Sequence, residues 1–306
     1  MGKIKKDLKK AFEWLLKSAR QGNPNPQRMI GYMYYYGEGV LQDYQKAFQW
    51  FLKSAKQNNL VAIKYVADMY EKGQGIEVNI MEAVKWYLKL DDKDDKNVQY
   101  KLGRMYEKGK GSNNNELAFR WYQQAAKQGH SDAQINIGLM YENGVFVTKN
   151  TVKAFNWYKK AAESGNRRAQ FNMGVLYDLG KGVKQDVKSA IKWYQKSAKN
   201  SFKNAQYTLG TMYDLGRNVE KNDHLAAEWY LKAANNEHNY AQFNIGVLYT
   251  NGRGVKQNII EAYKWFSVSS SNGNENAEKE KLKLSKRMTP EQIKKAEEDI
   301  YDTRPN

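Results

Sequence analysis

Three features of this sequence have residue types and spacings that could do chemistry: a serine–lysine pair, three histidines and a series of glycine-rich loops. Ser189 and Lys192 have the S-x-x-K spacing of serine acyl-transferring enzymes. The accompanying motifs of those enzymes, S-D-N and K-T-G, do not occur in the sequence. We therefore do not expect Ser189 to be a nucleophile.

The histidines do not form a metal-binding or catalytic pattern. His130, His224 and His238 are far apart, and none has a second ligand at metal-site spacing. Each falls between predicted helices, so we interpret them as solvated turn residues. The chain has no cysteine, which excludes disulfides, thiol nucleophiles and cysteine-based metal sites. The sequence thus predicts no catalytic residue, no metal, no cofactor and no enzymatic activity.

The glycine-rich loops do not have the spacing of a phosphate-binding loop. In the loop that begins at Gly180, the sequence GKG lacks the hydroxyl residue that follows the lysine of a P-loop. Gly174 and Gly180 also have the wrong separation for that motif. A glycine just after a helix instead takes the left-handed conformation that ends the last turn. We predict that these loops are structural.

Tryptophan reveals an internal repeat. All eight tryptophans recur at intervals of 36 residues, with one interval of 35: Trp14, Trp50, Trp86, Trp121, Trp157, Trp193, Trp229 and Trp265. A second series precedes a tyrosine by three residues: Gly31, Ala67, Gly103, Gly138, Gly174, Gly210 and Gly246. The apolar spacing predicts two helices in each repeat. A glycine inside a helix costs about 1 kcal/mol relative to alanine, so its recurrence predicts a close helix crossing.

This pattern resembles a known family. A-x-x-x-[LIM]-G-x-x-Y-x-x-G-x-G-V followed by K-A-x-x-W-Y-x-K-A-A-x-x-G is similar to the Sel1-like repeat, a relative of the tetratricopeptide repeat, over about residues 8–274. The resemblance implies an all-α fold, an α/α right-handed superhelical solenoid of helical hairpins whose first helices line the concave side. It also implies an adaptor or scaffold in protein complexes, which in bacteria is often secreted or periplasmic.

The repeat boundaries predict two regions. Residues 1–274 form the repeat array, with an N-terminal half repeat at 1–22 and hairpins that begin near residues 25, 61, 97, 132, 168, 204 and 240. Residues 275–306 form a C-terminal helical cap and tail, in which Thr289, Pro290 and Gln292 give a helix-capping pattern.

Some positions depart from the repeat. The acidic sequence DDKDD at 91–95 replaces an expected Ala-Ala pair. Phe146 and Asn218 replace the second loop glycine. Asparagine tolerates the left-handed conformation and phenylalanine does not, so we expect the loop at Phe146 to differ from the others.

By analogy with tetratricopeptide repeats, positions three before, one after and four after the repeat glycine line the groove. They carry an aromatic and aliphatic row beside a carboxylate row, which suits a basic or amphipathic peptide. The same positions could instead serve packing between repeats. The candidate partner-binding residues are Arg28, Tyr32, Tyr35, Tyr100, Arg104, Glu107, Glu142, Phe171, Asp178, Tyr207, Asp214 and Phe243.

The sequence therefore predicts a non-enzymatic scaffold that binds a partner protein or peptide along this groove. Three alternatives stay open: a bacterial immunity or escort protein for a secreted toxin or effector, a cell-wall or β-lactam hydrolase, and a basic surface that binds RNA or anionic membrane. A formal charge of +17 favours the last of these, but the carboxylate row would repel phosphate.

No transmembrane segment is predicted, because no run of 18 apolar residues occurs. Compartment (cytoplasmic, or periplasmic or secreted) and oligomeric state are not determined by the sequence.

Overall fold

The computed structural model describes residues 2–90, 95–108 and 114–302. Within these ranges the regular elements are seventeen α-helices without any strand, so the predicted all-α hairpin fold is confirmed. They are α1 (Gly2–Arg20), α2 (Pro24–Tyr36), α3 (Tyr44–Ala55), α4 (Leu60–Lys72), α5 (Ile80–Leu88), α6 (Lys96–Lys108), α7 (Asn115–Lys127), α8 (Ser131–Asn143), α9 (Thr151–Glu163), α10 (Arg167–Leu179), α11 (Val187–Lys199), α12 (Lys203–Leu215), α13 (Asp223–Asn235), α14 (Asn239–Asn251), α15 (Ile259–Ser271), α16 (Glu275–Ser285) and α17 (Pro290–Asp302). Of the acidic sequence at 91–95, only Asp95 lies within the described residues.

The chain packs as two compact units, Met1–Ile137 and Gly138–Asn306, and each is described by itself. The first unit contains the hairpins α2–α3, α4–α5 and α6–α7, and the second contains α10–α11, α12–α13 and α14–α15. In the second unit α15 also packs against α16 and α17. The proposed division into an array at 1–274 and a cap at 275–306 stays a prediction.

One set of backbone bonds closes the loop of the α10–α11 hairpin and recurs in other hairpins whose loops lie within the described residues. In α10–α11, Gly180 has φ 66° and its N–H donates to the Leu176 carbonyl, which ends the first helix. Asp186 then caps the second helix by accepting from the Ser189 N–H. The Asp186 N–H donates to the Tyr177 carbonyl at 3.0 Å, which joins the two helix ends. The prediction that this glycine is structural is confirmed.

Phe146 does not change its loop, so that prediction is wrong. Phe146 has φ 64°, close to the φ 71° of Gly182 at the same register. A non-glycine residue pays about 1–2 kcal/mol for this conformation. The closing bonds outweigh that cost, because the Gly144 N–H donates to Met140 at 2.9 Å and the Asn150 N–H to Tyr141 at 2.8 Å.

An aromatic ring of the second helix lies against the repeat glycine of the first. In the second unit a Cβ added to Gly174 would lie 2.5 Å from Cδ1 of Tyr194. In the first unit Gly103 has the same relation to Tyr122, also at 2.5 Å. Real Cβ atoms do not approach this closely, so the predicted close crossing is confirmed.

Buried glutamines, which the sequence analysis missed, join successive hairpins. Gln170 in α10 donates from Nε2 to the Ala162 carbonyl of α9 at 3.2 Å, and its Oε1 accepts from Asn200 at 2.9 Å. It therefore ties together three consecutive helical segments. Gln206 and Gln242 make the same pair of bonds one and two repeats later. The sequence did contain a signal for this role, because glutamine recurs at a position of the first helix that otherwise faces the apolar core.

The tryptophans of the second helices lie beneath lysines of the next turn. In the second unit the ammonium groups of Lys160, Lys196 and Lys232 lie 4.4–4.6 Å from the centres of the indole rings of Trp157, Trp193 and Trp229. These indoles are only partly exposed, and the stacked lysines place positive charge on the second helices.

Substitution of the repeat glycine tests the close crossing. Gly174→Ala would gain up to about 1 kcal/mol of helix propensity in an open helix. Because its Cβ meets the Tyr194 ring, we expect it instead to lower the free energy of unfolding by about 1–3 kcal/mol, measured by denaturant unfolding with circular dichroism. The matched comparison is Ala67→Gly, which removes a Cβ at the same register and should lose the propensity difference and the burial of one methyl group, without any steric clash. A Gly174→Ala protein as stable as the parent would contradict the crossing.

Candidate functional site

A cluster of tyrosines lies on the first helices of the first unit. We call Tyr32, Tyr35, Tyr36 and Tyr65 the tyrosine cluster. The Tyr65 ring lies 4.9 Å from Tyr32 and 5.5 Å from Tyr35, and its hydroxyl lies 3.0 Å from that of Tyr36. Burial raises the pKa of Tyr65, and its hydrogen bond to Tyr36 adds to the shift. Tyr65 is therefore a neutral donor and acceptor at neutral pH.

The tyrosine cluster is partly open to solvent and has a cation at its edge. Tyr36 is 55% exposed. The guanidinium of Arg28 lies 5.2 Å from the centre of the Tyr32 ring. Tyr35 is half-buried and donates its hydroxyl to Gln74 at 2.9 Å. The structure thus brings three predicted site residues, Arg28, Tyr32 and Tyr35, to one surface and adds Tyr36 and Tyr65.

The other predicted residues of the first unit lie on α6. Tyr100 stacks on the His130 ring at 4.3 Å, and Arg104 is exposed one turn further on. Glu107 accepts a hydrogen bond from the Tyr122 hydroxyl at 2.7 Å. Burial raises the pKa of Tyr122, and the bond to Glu107 adds to the shift. Glu107 is therefore an acceptor within its own hairpin.

Two further carboxylates of the first unit also form ion pairs within the fold. Asp68 and Glu71, on α4, both lie beside the ammonium of Lys101 on α6. The Tyr87 hydroxyl donates to Asp68 as well. This cluster links two successive hairpins.

Carboxylates of the second unit are bound in the same way. Glu142 accepts from the Tyr158 hydroxyl at 2.8 Å. Asp178 is buried and pairs with Arg217 from the next hairpin at 2.7 Å. Asp214 pairs with Arg253 at 2.5 Å. These three carboxylates of the second unit therefore already serve the packing of the repeats, and their place in a groove-lining row stays a prediction.

The predicted aromatic residues of the second unit also pack against neighbouring rings. Phe171 lies 5.6 Å from Tyr194, Tyr207 lies 5.8 Å from Tyr230, and Phe243 lies 5.6 Å from Phe266, each pair joining the two helices of one hairpin. All three first-helix rings remain half-buried. Their role in binding a partner stays a prediction.

Two histidines are helix caps, and their interpretation as solvated turn residues is wrong. His238 precedes α14 and its Nδ1 accepts from the Ala241 N–H at 3.3 Å, while its ring stacks on Tyr207 at 4.3 Å. His130 caps α8 in the same way through the Ala133 N–H at 3.2 Å. Burial lowers the pKa of both histidines. His224 differs, since it is exposed and lies in the first turn of α13.

The geometry does not assemble catalytic machinery around Ser189. Its hydroxyl donates to Asp186 at 2.6 Å, and that carboxylate caps α11.

Among the described residues, no group of three or more acidic or histidine side chains could hold a metal ion. In the same residues, no helix is long and apolar enough to cross a membrane.

These features define an α-helical repeat protein built from hairpins that share one set of packing contacts. The chain belongs to the Sel1 repeat family. Eight segments match the Sel1 repeat profile: residues 1–23, 27–59, 61–90, 97–130, 131–166, 167–202, 203–238 and 239–274. Sel1 repeat proteins generally mediate protein–protein interactions, and their scaffold is typically non-catalytic.

Solved structures of bacterial proteins are similar to this chain. A Sel1 repeat protein from Oxalobacter formigenes is 28% identical, with a TM-score of 0.82 over 92% of this chain and 81% of that protein. The protein c5321, a protective antigen of uropathogenic Escherichia coli strains displaying an SLR fold, is 30% identical, with a TM-score of 0.58 over 97% of this chain and 72% of that protein. No curated protein sequence gives a significant match.

The histidine caps predict a pH-dependent stability. Only a neutral imidazole can accept the N–H bond, and both pKa values are lowered in the fold. The stabilisation is therefore fully present above the unfolded pKa of about 6.5 and is lost as the pH falls through the folded pKa values. We expect the melting temperature to fall between about pH 7.5 and 5.5.

Asparagine caps equivalent helices elsewhere in the chain, such as α10 at Asn166. The double variant His130→Asn/His238→Asn should therefore remove this part of the pH dependence and keep the cap bonds, while it loses the stacking on Tyr100 and Tyr207 at every pH. His224→Asn is the control and should titrate like the parent protein. Equal slopes for the double variant and the parent would exclude the caps as the cause.

Proposed function

We propose that this chain is a non-enzymatic interaction module that binds a segment of a partner protein on the surface of its first helices. The tyrosine cluster with Arg28 is the main anchor. The single observation that supports this assignment is the exposed edge of the cluster, where Tyr36 is 55% exposed beside other rings and a guanidinium.

Tyrosine and arginine suit this role physically. They are enriched among the residues that dominate the free energy of protein–protein binding. Tyrosine offers a large apolar ring with a polar tip and loses little side-chain entropy on binding. The ring contacts in the tyrosine cluster reduce that loss further, because the rings are ordered before a partner arrives.

The contacts of the carboxylates alter the expected chemistry of the partner. Glu107, Glu142, Asp178 and Asp214 already accept bonds from tyrosine or arginine side chains. A basic peptide would have to compete with these bonds. We therefore propose that apolar or aromatic side chains of the partner supply most of the affinity, and that Arg28 binds an acceptor of the partner.

A peptide-display selection tests this proposal while the identity of the partner is still open. The full-length protein is used to select from a random peptide library, and binding of the enriched peptides is measured by titration calorimetry. The variant Arg28→Ala/Tyr36→Ala removes two partly exposed groups at the edge of the cluster. We expect it to weaken binding at least tenfold, or about 1.4 kcal/mol, with an unchanged circular dichroism spectrum.

The matched control is Leu179→Ala/Leu215→Ala, which truncates two exposed apolar side chains on first helices of the second unit. It should retain the parental affinity. Peptides that bind the Arg28/Tyr36 variant and the parent equally would contradict the assignment, and so would a selection that enriches no peptide family. Capture from cells of the native source, with the same two variants, then identifies the physiological partner.

A further inference from the structure

A cavity of about 570 Å³ opens between α5, α6 and α7 in the first unit. None of its lining residues belongs to the tyrosine cluster or to the predicted groove. Buried Tyr87, Val98 and Leu102 line it together with Leu90 and Trp121, and Lys127 lies among the exposed residues at its mouth. Apolar side chains make up most of its lining surface.

The cavity has a cause in the sequence. Helix α5 has 9 residues and ends at Leu88, whereas α3 has 12 and α7 has 13. Leu90 occupies the register at which α7 has Ala125, which is completely buried. A leucine does not fit where an alanine allows close helix packing, and α5 packs on α6 far less extensively than α3 packs on α4.

The size and lining define the ligand. Small-molecule sites are typically about 300–1,000 Å³ and mostly apolar, with a few polar groups that fix orientation. Here the hydrocarbon lining favours a flexible alkyl chain. Lys127 and Gln124 are exposed residues of the lining, so a cation and an amide are available there for an acidic head group that stays in solvent.

We propose that this cavity binds a free fatty acid, with its alkyl chain between α5, α6 and α7 and its carboxylate at Lys127. The alkyl chain provides the affinity and Lys127 provides the preference for an anionic head. This site is independent of the partner-binding surface on the first helices, since the two share no residue.

A chain-length series tests the apolar part. Octanoate, decanoate and dodecanoate, each below its micellar concentration, are titrated into the full-length protein by calorimetry. Each added methylene that becomes buried should tighten binding about fourfold until the cavity is filled. An affinity that does not change with chain length would overturn the proposal.

Two substitutions should block the cavity. Leu90→Trp and Val98→Phe place larger side chains in it, and each is expected to weaken dodecanoate binding at least tenfold. Leu215→Trp adds the same bulk at an exposed position of the second unit and should have no effect. Thermal unfolding of each variant verifies that the fold is intact. If dodecanoate binds both filled variants as it binds the parent, the ligand lies elsewhere.

The head group is tested by Lys127→Gln. It should weaken dodecanoate binding about two- to fivefold at low salt, as expected for an exposed ion pair, and leave dodecanol binding unchanged. The control is Lys199→Gln, which removes the lysine at the same register of α11. Tighter binding of dodecyltrimethylammonium than of dodecanoate would overturn the anionic preference. Binding to phosphatidylglycerol vesicles without binding of monomeric dodecanoate would point to a membrane surface and also contradict the proposal.

Discussion

The contact between an aromatic ring of a second helix and the repeat glycine of its first helix is the constraint on which the other packing contacts depend. At Gly174 and Gly210 the Tyr194 and Tyr230 rings occupy the space that a side chain would take. This approach fixes the separation of the two helices. It also directs the tyrosine hydroxyl towards the carboxylate one turn further along the first helix, as in the Tyr230–Asp214 contact at 3.3 Å.

The same constraint limits which repeated residues are available for binding. A side chain that recurs at one register recurs because its packing environment recurs, and its polar atoms are already bonded within the fold. Asp178 and Asp214 show this most clearly, since each pairs with an arginine 39 residues later in the chain. Recognition is therefore better sought where the chain departs from the repeat.

The spacing of glycine, tyrosine and tryptophan was enough to predict the hairpins and the close crossing, because each depends on register along one helix. The partners of individual side chains could not be predicted in this way. Gln170 bonds to residues 8 positions before it and 30 positions after it, so its role depends on how successive hairpins stack. The role of His238 could not be predicted for a related reason. A histidine before a helix can be a solvated turn residue or a cap, and the structure distinguishes them by the Ala241 N–H bond to Nδ1 and the stacked Tyr207 ring.

Three departures from the repeat lie close together in the first unit. There Ile63 replaces the bridging glutamine, Ala67 replaces the repeat glycine, and α5 is the shortest second helix of a hairpin. The complete bonding pattern is present at Gln170, Gln206 and Gln242 in the second unit and at Gln27 in the first, so the break in the first unit lies at Ile63, Ala67 and α5. Regular packing stabilises a repeat protein but leaves few unpaired groups. An irregular hairpin lacks part of that stabilisation, and some of its apolar surface stays accessible to a ligand. The open edge of the tyrosine cluster and the cavity beside α5 both lie in the unit where the pattern is broken, which is why the first unit is the better candidate for recognition.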